Sequence, residues 1–497
     1  MTPPFTRWTL PLALVAASCG GSGPERPNVL LITMDTTRPD YLGTYGQRQT
    51  STPALDNLAA EGTRFDHAMS ASAVTPVSHA TILTGEFPYT HGLRVLSAKG
   101  GFSLPREHAS VASTLKEEGY RTGAVHSAFP VSRFFGFEHG FDTFKDMNGS
   151  MEDRPNNTTG WDTHGLQRRS DQTTDLALEF LEDGDEPFFL WIHYWDPHDP
   201  ILRPPIEWMP QGEPRNDTER LTWGDKVYAA EVRYMDSQIG RLFEGMKTLG
   251  MYEDTTIVVT SDHGEGLSDG DRDHQWRSHR MVYEEQIHVP LIVRTPGPSG
   301  RQEKAVPELV RTADIVPTIL DYSGVSSPRE LDGRSLRALL EGNPDELRIG
   351  YADQINGYDT NAKMVVRRPD AKFLFCVADG RWKLTYRPHD PVKSELFDLQ
   401  TDPAELDNLL PKGTHTEKVH ELMFELAKRN PWVLQPFPDE GANTEGMGAS
   451  LENLGYAEGS VSDIDWSWVC PRHPETLRPE RDRCPECEGI PVLIRAK

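Results

Sequence analysis

The stretch Asn28-Val29-Leu30-Leu31-Ile32-Thr33-Met34-Asp35 decides the fold. Val29 to Ile32 is a short, continuously apolar run, as a strand covered on both faces of a parallel sheet requires. Asp35 follows just past its carboxyl end. The same arrangement recurs at Phe188-Phe189-Leu190-Trp191-Ile192, followed by His193 to His198. It recurs again at Thr256-Ile257-Val258-Val259, followed by Ser261, Asp262 and His263. Open parallel sheets place ligands at the carboxyl ends of their strands, so topology alone brings three chemically loaded segments to one edge.

Helical segments separate these strands. Val227, Ala230, Tyr234, Ile239, Leu242 and Met246 fall close to a 3.6 period, with Gly250 as a stop. Strands alternating with helices give an α/β fold built on a doubly wound, mostly parallel sheet. After about Arg348 the texture changes. Runs at 363–367, 372–376 and 381–386, split by Pro and Gly turns, predict a small antiparallel sheet beside the main domain. The expected organisation is therefore a main domain over 28–345, a C-terminal α+β subdomain over 346–458 and a tail over 466–497.

Composition narrows the class. With 497 residues, one large domain plus appendages is the default, and 37% apolar residues with eleven Trp and nineteen Phe mark a globular chain. A formal net charge of -25 repels polyanions, which excludes nucleic acid as a partner. The start reads as an export signal over 1–19: Arg7, the apolar run Leu10 to Ala17, then small residues. That run is too short for a stable bilayer span. Ala16-Ala17-Ser18-Cys19-Gly20 resembles a bacterial lipoprotein cleavage box, which would tether the protein to a membrane by a lipid on Cys19; the alternative is a plain cleaved signal. Residues 20–27 read as a Gly/Ser/Pro linker, and either way an exported, periplasmic or cell-surface protein is expected.

Thr75 to Gly85 reads as a turn running into a short helix. A hydroxyl at such a start feels the helix dipole, and the unpaired amides there can hold an anionic ester oxygen. Alone, a Thr before Pro is an ordinary turn residue. Asp35, Asp262 and His263 supply what that hydroxyl lacks, because a divalent ion such as Ca²⁺, Mg²⁺ or Mn²⁺ takes carboxylate oxygens and sometimes an imidazole. Such an ion lowers the pKa of a bound hydroxyl and neutralises the ester anion.

These motifs, in this order, resemble the sulfatase family within the alkaline-phosphatase superfamily. The resemblance runs from Asn28 to about Tyr456. Asn28 to Asp35, with Arg38, Asp40 and Gly43, is similar to the family's first metal-binding strand, and Thr75 to Gly85 to its nucleophile signature. His193-Tyr194-Trp195-Asp196-Pro197-His198 resembles the segment whose His contacts substrate, and Thr260 to Glu265 the second metal segment. Tyr283-Glu284-Glu285, His288 to Leu291, Glu395 to Leu399, Asp402-Pro403 and Glu405 follow in family order. The resemblance implies a hydrolase of sulfuric esters with Asp35, Thr75, Asp262 and His263 around one cation.

Several positions depart from that pattern. Sulfatases carry a Cys or Ser that is oxidised to formylglycine where this chain has Thr75, and Thr cannot yield the aldehyde. A formylglycine hydrate expels sulfate by collapse of a hemiacetal, whereas a Thr ester must be cleaved by water, the route of Thr- and Ser-nucleophile phosphoesterases. The paired acids of the first metal strand are here Asp35-Thr36, the Arg of the nucleophile motif is His79, the Lys-and-His segment is Val125-His126-Ser127-Ala128, and His279 stands where the family has a later Lys. Two readings compete. In one, Thr75 attacks a sulfate or phosphate ester while His198 and His279 bind the anion and protonate the leaving group. In the other, the fold is a catalytically silent binder. His79 serves either the site or a helix-start hydrogen bond; His126 reads as structural, Glu284 and Glu285 as capping or pairing residues, and Cys376 as a buried side chain.

The tail carries Cys470-x₂-His473 and then Cys484-x₂-Cys487, the spacing of a small zinc-ribbon knuckle. Its text is similar to the heavy-metal-binding ribbon attached to bacterial metal-handling proteins, which implies Zn²⁺ on those four side chains. A disulfide is the competing reading in an oxidising compartment. The leaving group is expected to be selected by loops such as 147–168 and 201–223.

Overall fold

The computed structural model describes residues 26–46, 50–95, 103–146, 167–184, 187–198, 202–212, 214–268, 279–297, 304–356, 371–388 and 390–429, together with the backbone of 466–470, 473–478 and 492–495. The main sheet has eight strands: β1 (Asn28–Met34), β2 (Thr63–Met69), β3 (Arg121–Val125), β4 (Thr143–Lys145), β5 (Phe188–Tyr194), β6 (Thr255–Ser261), β7 (His288–Arg294) and β8 (Lys304–Arg311). Their order is β4-β3-β5-β1-β6-β7-β2-β8. Only β7 runs against the others, pairing antiparallel with β6 and β2.

The three apolar runs are the three central strands, β5, β1 and β6, and every residue in them is buried. Register aligns their ends, because Met34 pairs with Tyr194 on one side and Ser261 on the other. Successive strand residues point to opposite faces. Val29 and Leu31 join the core formed with the helices Thr75–Thr84, Val111–Glu117 and Ile315–Tyr322. Leu30 and Ile32 join the one formed with Pro53–Ala60, Ser170–Glu182 and Asp217–Thr248. Each fully buried Val, Leu or Ile contributes ~1.5–3 kcal/mol, so this layer is anchored from both sides.

The long helix corrects one expectation. It begins at Asp217, well before the expected Val227, because the Asn216 side chain caps it by accepting the Glu219 N–H at 2.8 Å. Its first turns lack an apolar period, so periodicity found only the buried part. Gly250 does end it, with φ +77°.

A second sheet has the order β12-β11-β10-β9, antiparallel throughout: β9 (Gly350–Gln354), β10 (Leu374–Ala378), β11 (Trp382–Tyr386) and β12 (Glu395–Asp398). β10 and β11 match two of the expected strands with shifted starts, while the expected strand at 363–367 lies outside the described residues. β9 was not anticipated; its mixed Gly-Tyr-Ala-Asp-Gln text has no apolar alternation, yet all five residues are buried. Cys376 is fully buried in β10, as its setting suggested. The tail forms a three-stranded antiparallel sheet, β14-β13-β15, from β13 (Trp466–Cys470), β14 (His473–Arg478) and β15 (Val492–Arg495). Residues 1–25, with the expected export signal, and Cys484 and Cys487 lie outside the described residues. Among the described residues no helix is long and apolar enough to cross a membrane.

Candidate active site

The chain leaves β1 at Asp35 and turns at once. Thr36 takes φ +49°, a left-handed conformation unusual for a residue with a branched side chain. Tyr228, from the long helix, holds that turn: its hydroxyl donates to the Thr36 carbonyl at 2.7 Å and accepts the Arg38 N–H at 2.9 Å. The turn aims the Thr36 N–H at Asp262 Oδ1, 3.1 Å away at the end of β6, where the His263 N–H also donates at 2.8 Å.

One oxygen of each carboxylate is thus committed. Asp35 Oδ2 receives His193 Nε2–H at 3.0 Å. Asp35 Oδ1 and Asp262 Oδ2 are buried and accept no hydrogen bond. His263 Nδ1–H donates to the Gly264 carbonyl at 2.9 Å, which leaves the Nε2 lone pair facing the carboxylates, 3.3 Å from Asp262 Oδ2. One ligand atom from each of Asp35, Asp262 and His263 lies within 4.8 Å of the others. Two orphaned anionic oxygens and an imidazole nitrogen, all buried, fit a divalent cation. Burial, with Asp262 and then Glu265 nearby, pushes the Asp35 carboxyl well above the ordinary range.

Thr75 opens its helix beside this cluster, and its Oγ1 is 3.3 Å from His263 Nε2. The helix is tied to the end of β6 by Ser78, whose hydroxyl donates to the Asp262 carbonyl at 2.6 Å. Its far end stops at Gly85, φ +73°, where an added Cβ would meet the Val316 side chain at 3.0 Å. His79 lies beneath Thr75. Its Nδ1–H donates to the Thr75 carbonyl at 2.8 Å, and its Nε2 accepts from the Thr33 hydroxyl at 3.0 Å. Burial lowers its pKa, so the ring is neutral.

His198 and His279 lie beside the cluster. His198 stacks on Trp195, ring centroids 3.7 Å apart. His279 lies 5.1 Å from the His198 ring and 4.8 Å from the His263 ring. Burial pushes both imidazoles well below the usual histidine range, with His263 adding to it. Glu265, 3.4 Å from His279 Nδ1, is pushed up to about 8 by burial. The structure therefore brings Asp35, Thr75, His79, His198, Asp262, His263 and His279 to one edge. His126 spends its nitrogens on the Ala128 carbonyl and Asp146, a structural role. Glu284 pairs with Lys383 at 2.9 Å.

Two residues escaped the sequence reading. His193 stands in the sequence only as motif text; its signal is a polar residue directly after the apolar run of β5, in register with Thr33. Tyr228 sits on the buried face of a helix, where nothing distinguishes a strut from a core aromatic. In the tail, register sets Cys470 opposite His473 across the β13–β14 pair.

The sulfatase family model matches residues 27–325, and the model for the C-terminal region of N-sulphoglucosamine sulphohydrolase matches 272–431. An arylsulfatase of Clostridium perfringens is 26% identical over 474 residues, covering 81% of this chain and 94% of its own. An N-acetylglucosamine-6-O-sulfatase of Bacteroides thetaiotaomicron is 26% identical, covering 87% and 92%. Among solved structures, a phosphonate monoester hydrolase of Agrobacterium radiobacter shares the fold with a TM-score of 0.64 at 22% identity, over 82% of this chain and 96% of that one. A family model that spans more than half of the sequence, on the fold that family adopts, makes this chain a member of the sulfatase family.

Proposed function

We propose that the protein is a metal-dependent hydrolase of sulfuric esters in which Thr75 takes the nucleophile position, Asp35, Asp262 and His263 hold one divalent cation with Thr75 beside it, and His198 and His279 face the ester. The observation that carries this reading is the convergence of two hydrogen-bond-free carboxylate oxygens and His263 Nε2 beside the Thr75 hydroxyl. A bound cation would supply the positive charge that makes the hydroxyl acidic and neutralises the ester. The protein supplies the positioning. His79 and Ser78 fix the helix start that carries Thr75, and His198 and His279, uncharged near neutral pH, can hydrogen-bond the ester oxygens. A silent binder would have no reason to bury two carboxylate oxygens without partners.

Thr75 favours a second reading for the same site, hydrolysis of phosphoric mono- or diesters, because a Thr ester must be opened by water. Relatives named as sulfatases support sulfate, and a fold neighbour named as a phosphonate monoester hydrolase supports phosphorus. Rates on an aryl sulfate, a phosphate monoester and a phosphate diester, each with and without chelator, decide between them. Chelator-sensitive turnover is expected; tight anion binding without turnover would establish the binder instead.

The remaining expectations stand as parts of this proposal: export with a lipid on Cys19, the division at 345–346, and Zn²⁺ on Cys470, His473, Cys484 and Cys487. The last is supported by the register of Cys470 with His473.

A further inference from the structure

We infer that the cation cluster selects a transition-series ion, Mn²⁺ or beyond it in the Irving–Williams order, against Ca²⁺, and that His193 enforces the choice. The inference rests on the metal-site reading above and deepens it. Asp262 Oδ1 accepts two N–H groups, from Thr36 at 3.1 Å and His263 at 2.8 Å, so both its lone pairs are spent. Asp35 Oδ2 accepts His193 Nε2–H at 3.0 Å. Asp262 therefore offers only Oδ2, while Asp35 has Oδ1 uncommitted and Oδ2 shared with His193. The third donor is an imidazole nitrogen.

Ca²⁺ wants six to eight oxygens and gains most from carboxylates that bind through both. Among the described residues, one oxygen of Asp262, the Asp35 carboxylate, the Thr75 hydroxyl and a nitrogen fall short of that set. Transition-series ions accept fewer ligands and bind imidazole well. The residue after Asp35, which could have supplied another carboxylate, is Thr36.

His193 is built to hold its bond. It sits at the end of β5 with 0% exposure. Its Nδ1 accepts the Ser127 N–H at 3.4 Å, which puts the ring proton on Nε2, toward Asp35. The ring stands edge-on to His79, centroids 4.8 Å apart at 86°, and packs beside Trp195 at 6.0 Å. Neither rotation nor a tautomer change is open to it without losing one of these contacts. His193 is thus a positioning residue: fully buried, it acts by keeping Asp35 turned with Oδ1 inward.

The test is ion binding to the chelator-stripped full chain, followed by calorimetry and by the electron spin resonance of Mn²⁺, with Asp35→Asn as the reference for any binding in the tail. Wild type is expected to bind Mn²⁺ at least tenfold more tightly than Ca²⁺. His193→Ala, which releases Asp35 Oδ2, should weaken Mn²⁺ by 10- to 100-fold and narrow its lead over Ca²⁺, whereas His193→Gln, with an amide N–H in a similar place, should recover part of the loss. Circular dichroism of each variant shows whether it folds; if His193→Ala does not, the Mn²⁺/Ca²⁺ ratios of wild type and His193→Gln decide. Equal or tighter Ca²⁺ binding by wild type overturns the inference and leaves ester hydrolysis standing. Unchanged Mn²⁺ affinity in a folded His193→Ala removes His193 from the scheme. Absence of any ion binding to wild type overturns this inference and the functional reading together.

Discussion

Thr75 Oγ1 and His263 Nε2 stand 3.3 Å apart, although the two residues come from a helix start and a strand end far apart in the sequence. Because His263 Nδ1 gives its proton to Gly264, the hydroxyl is the donor in this contact.

Replacing Thr75 separates chemistry from folding. Thr75→Ala should lower kcat by roughly 10³-fold or more, since it removes the hydroxyl that lies against His263 Nε2. Its methyl side chain suits a helix start well enough to leave Tm within a few degrees. Thr75→Ser keeps the hydroxyl and should retain measurable turnover. Equal kcat for Thr75→Ala and wild type would remove Thr75 from the mechanism.

Tyr228 tests the turn rather than the ligands. Tyr228→Phe leaves the Thr36 carbonyl and Arg38 N–H without their buried partner, a cost of ~1–3 kcal/mol. It also loosens a turn with φ +49° that aims an N–H at Asp262, so ion affinity should drop about tenfold along with stability. Urea unfolding and a Mn²⁺ titration measure the two losses separately. A stability loss with unchanged ion affinity would confine Tyr228 to the core.

The parts of this site that could be read from sequence are those in which chemistry follows a regular element directly. Asp35 and Asp262 each trail an apolar strand, and parallel pairing forces them together. His193 and Tyr228 were illegible for the opposite reason: each lies inside its element, and its meaning depends on which neighbour's carboxylate or carbonyl it meets. The burial of His279 beside His263 likewise arises from a segment between strands, where no period fixes direction. β9 shows the limit for the fold, since its burial comes from β10 and the main sheet and not from its own apolar content.

His91 gives a pH dependence outside the candidate site. It is fully buried, lies 3.1 Å from the Thr81 hydroxyl, accepts the Leu93 N–H at 3.2 Å through Nδ1, and is pushed down to about 3 by burial. The unfolded chain takes up this proton near the ordinary histidine value of about 6.5, the folded one only near 3. Between those values the unfolded state binds more protons, so stability is full above about 6.5 and falls as the pH drops, by up to ~1.4 kcal/mol per pH unit. His91→Gln keeps an N–H and an acceptor but cannot titrate. Its Tm should start lower at neutral pH and fall less steeply than that of wild type from pH 6 to 4; parallel curves would show that other groups control acid unfolding.

Lys383 joins the two sheets. From β11 its ammonium reaches Glu284 Oε1 at 2.9 Å and Glu405 Oε1 at 2.8 Å, with the lysine side chain 0% exposed. Glu284 also begins the short helix leading into β7, and its N–H donates to Glu405 Oε2 at 2.6 Å. Removing the cation alone leaves two facing acids in a buried setting. Lys383→Met should therefore cost ~3–5 kcal/mol, whereas Lys383→Met combined with Glu284→Gln and Glu405→Gln should cost less, because no uncompensated charge remains. Denaturant unfolding of both variants measures the difference. If the triple variant is less stable than Lys383→Met, the ion pairs themselves, and not the penalty for breaking them, hold the second sheet against the first.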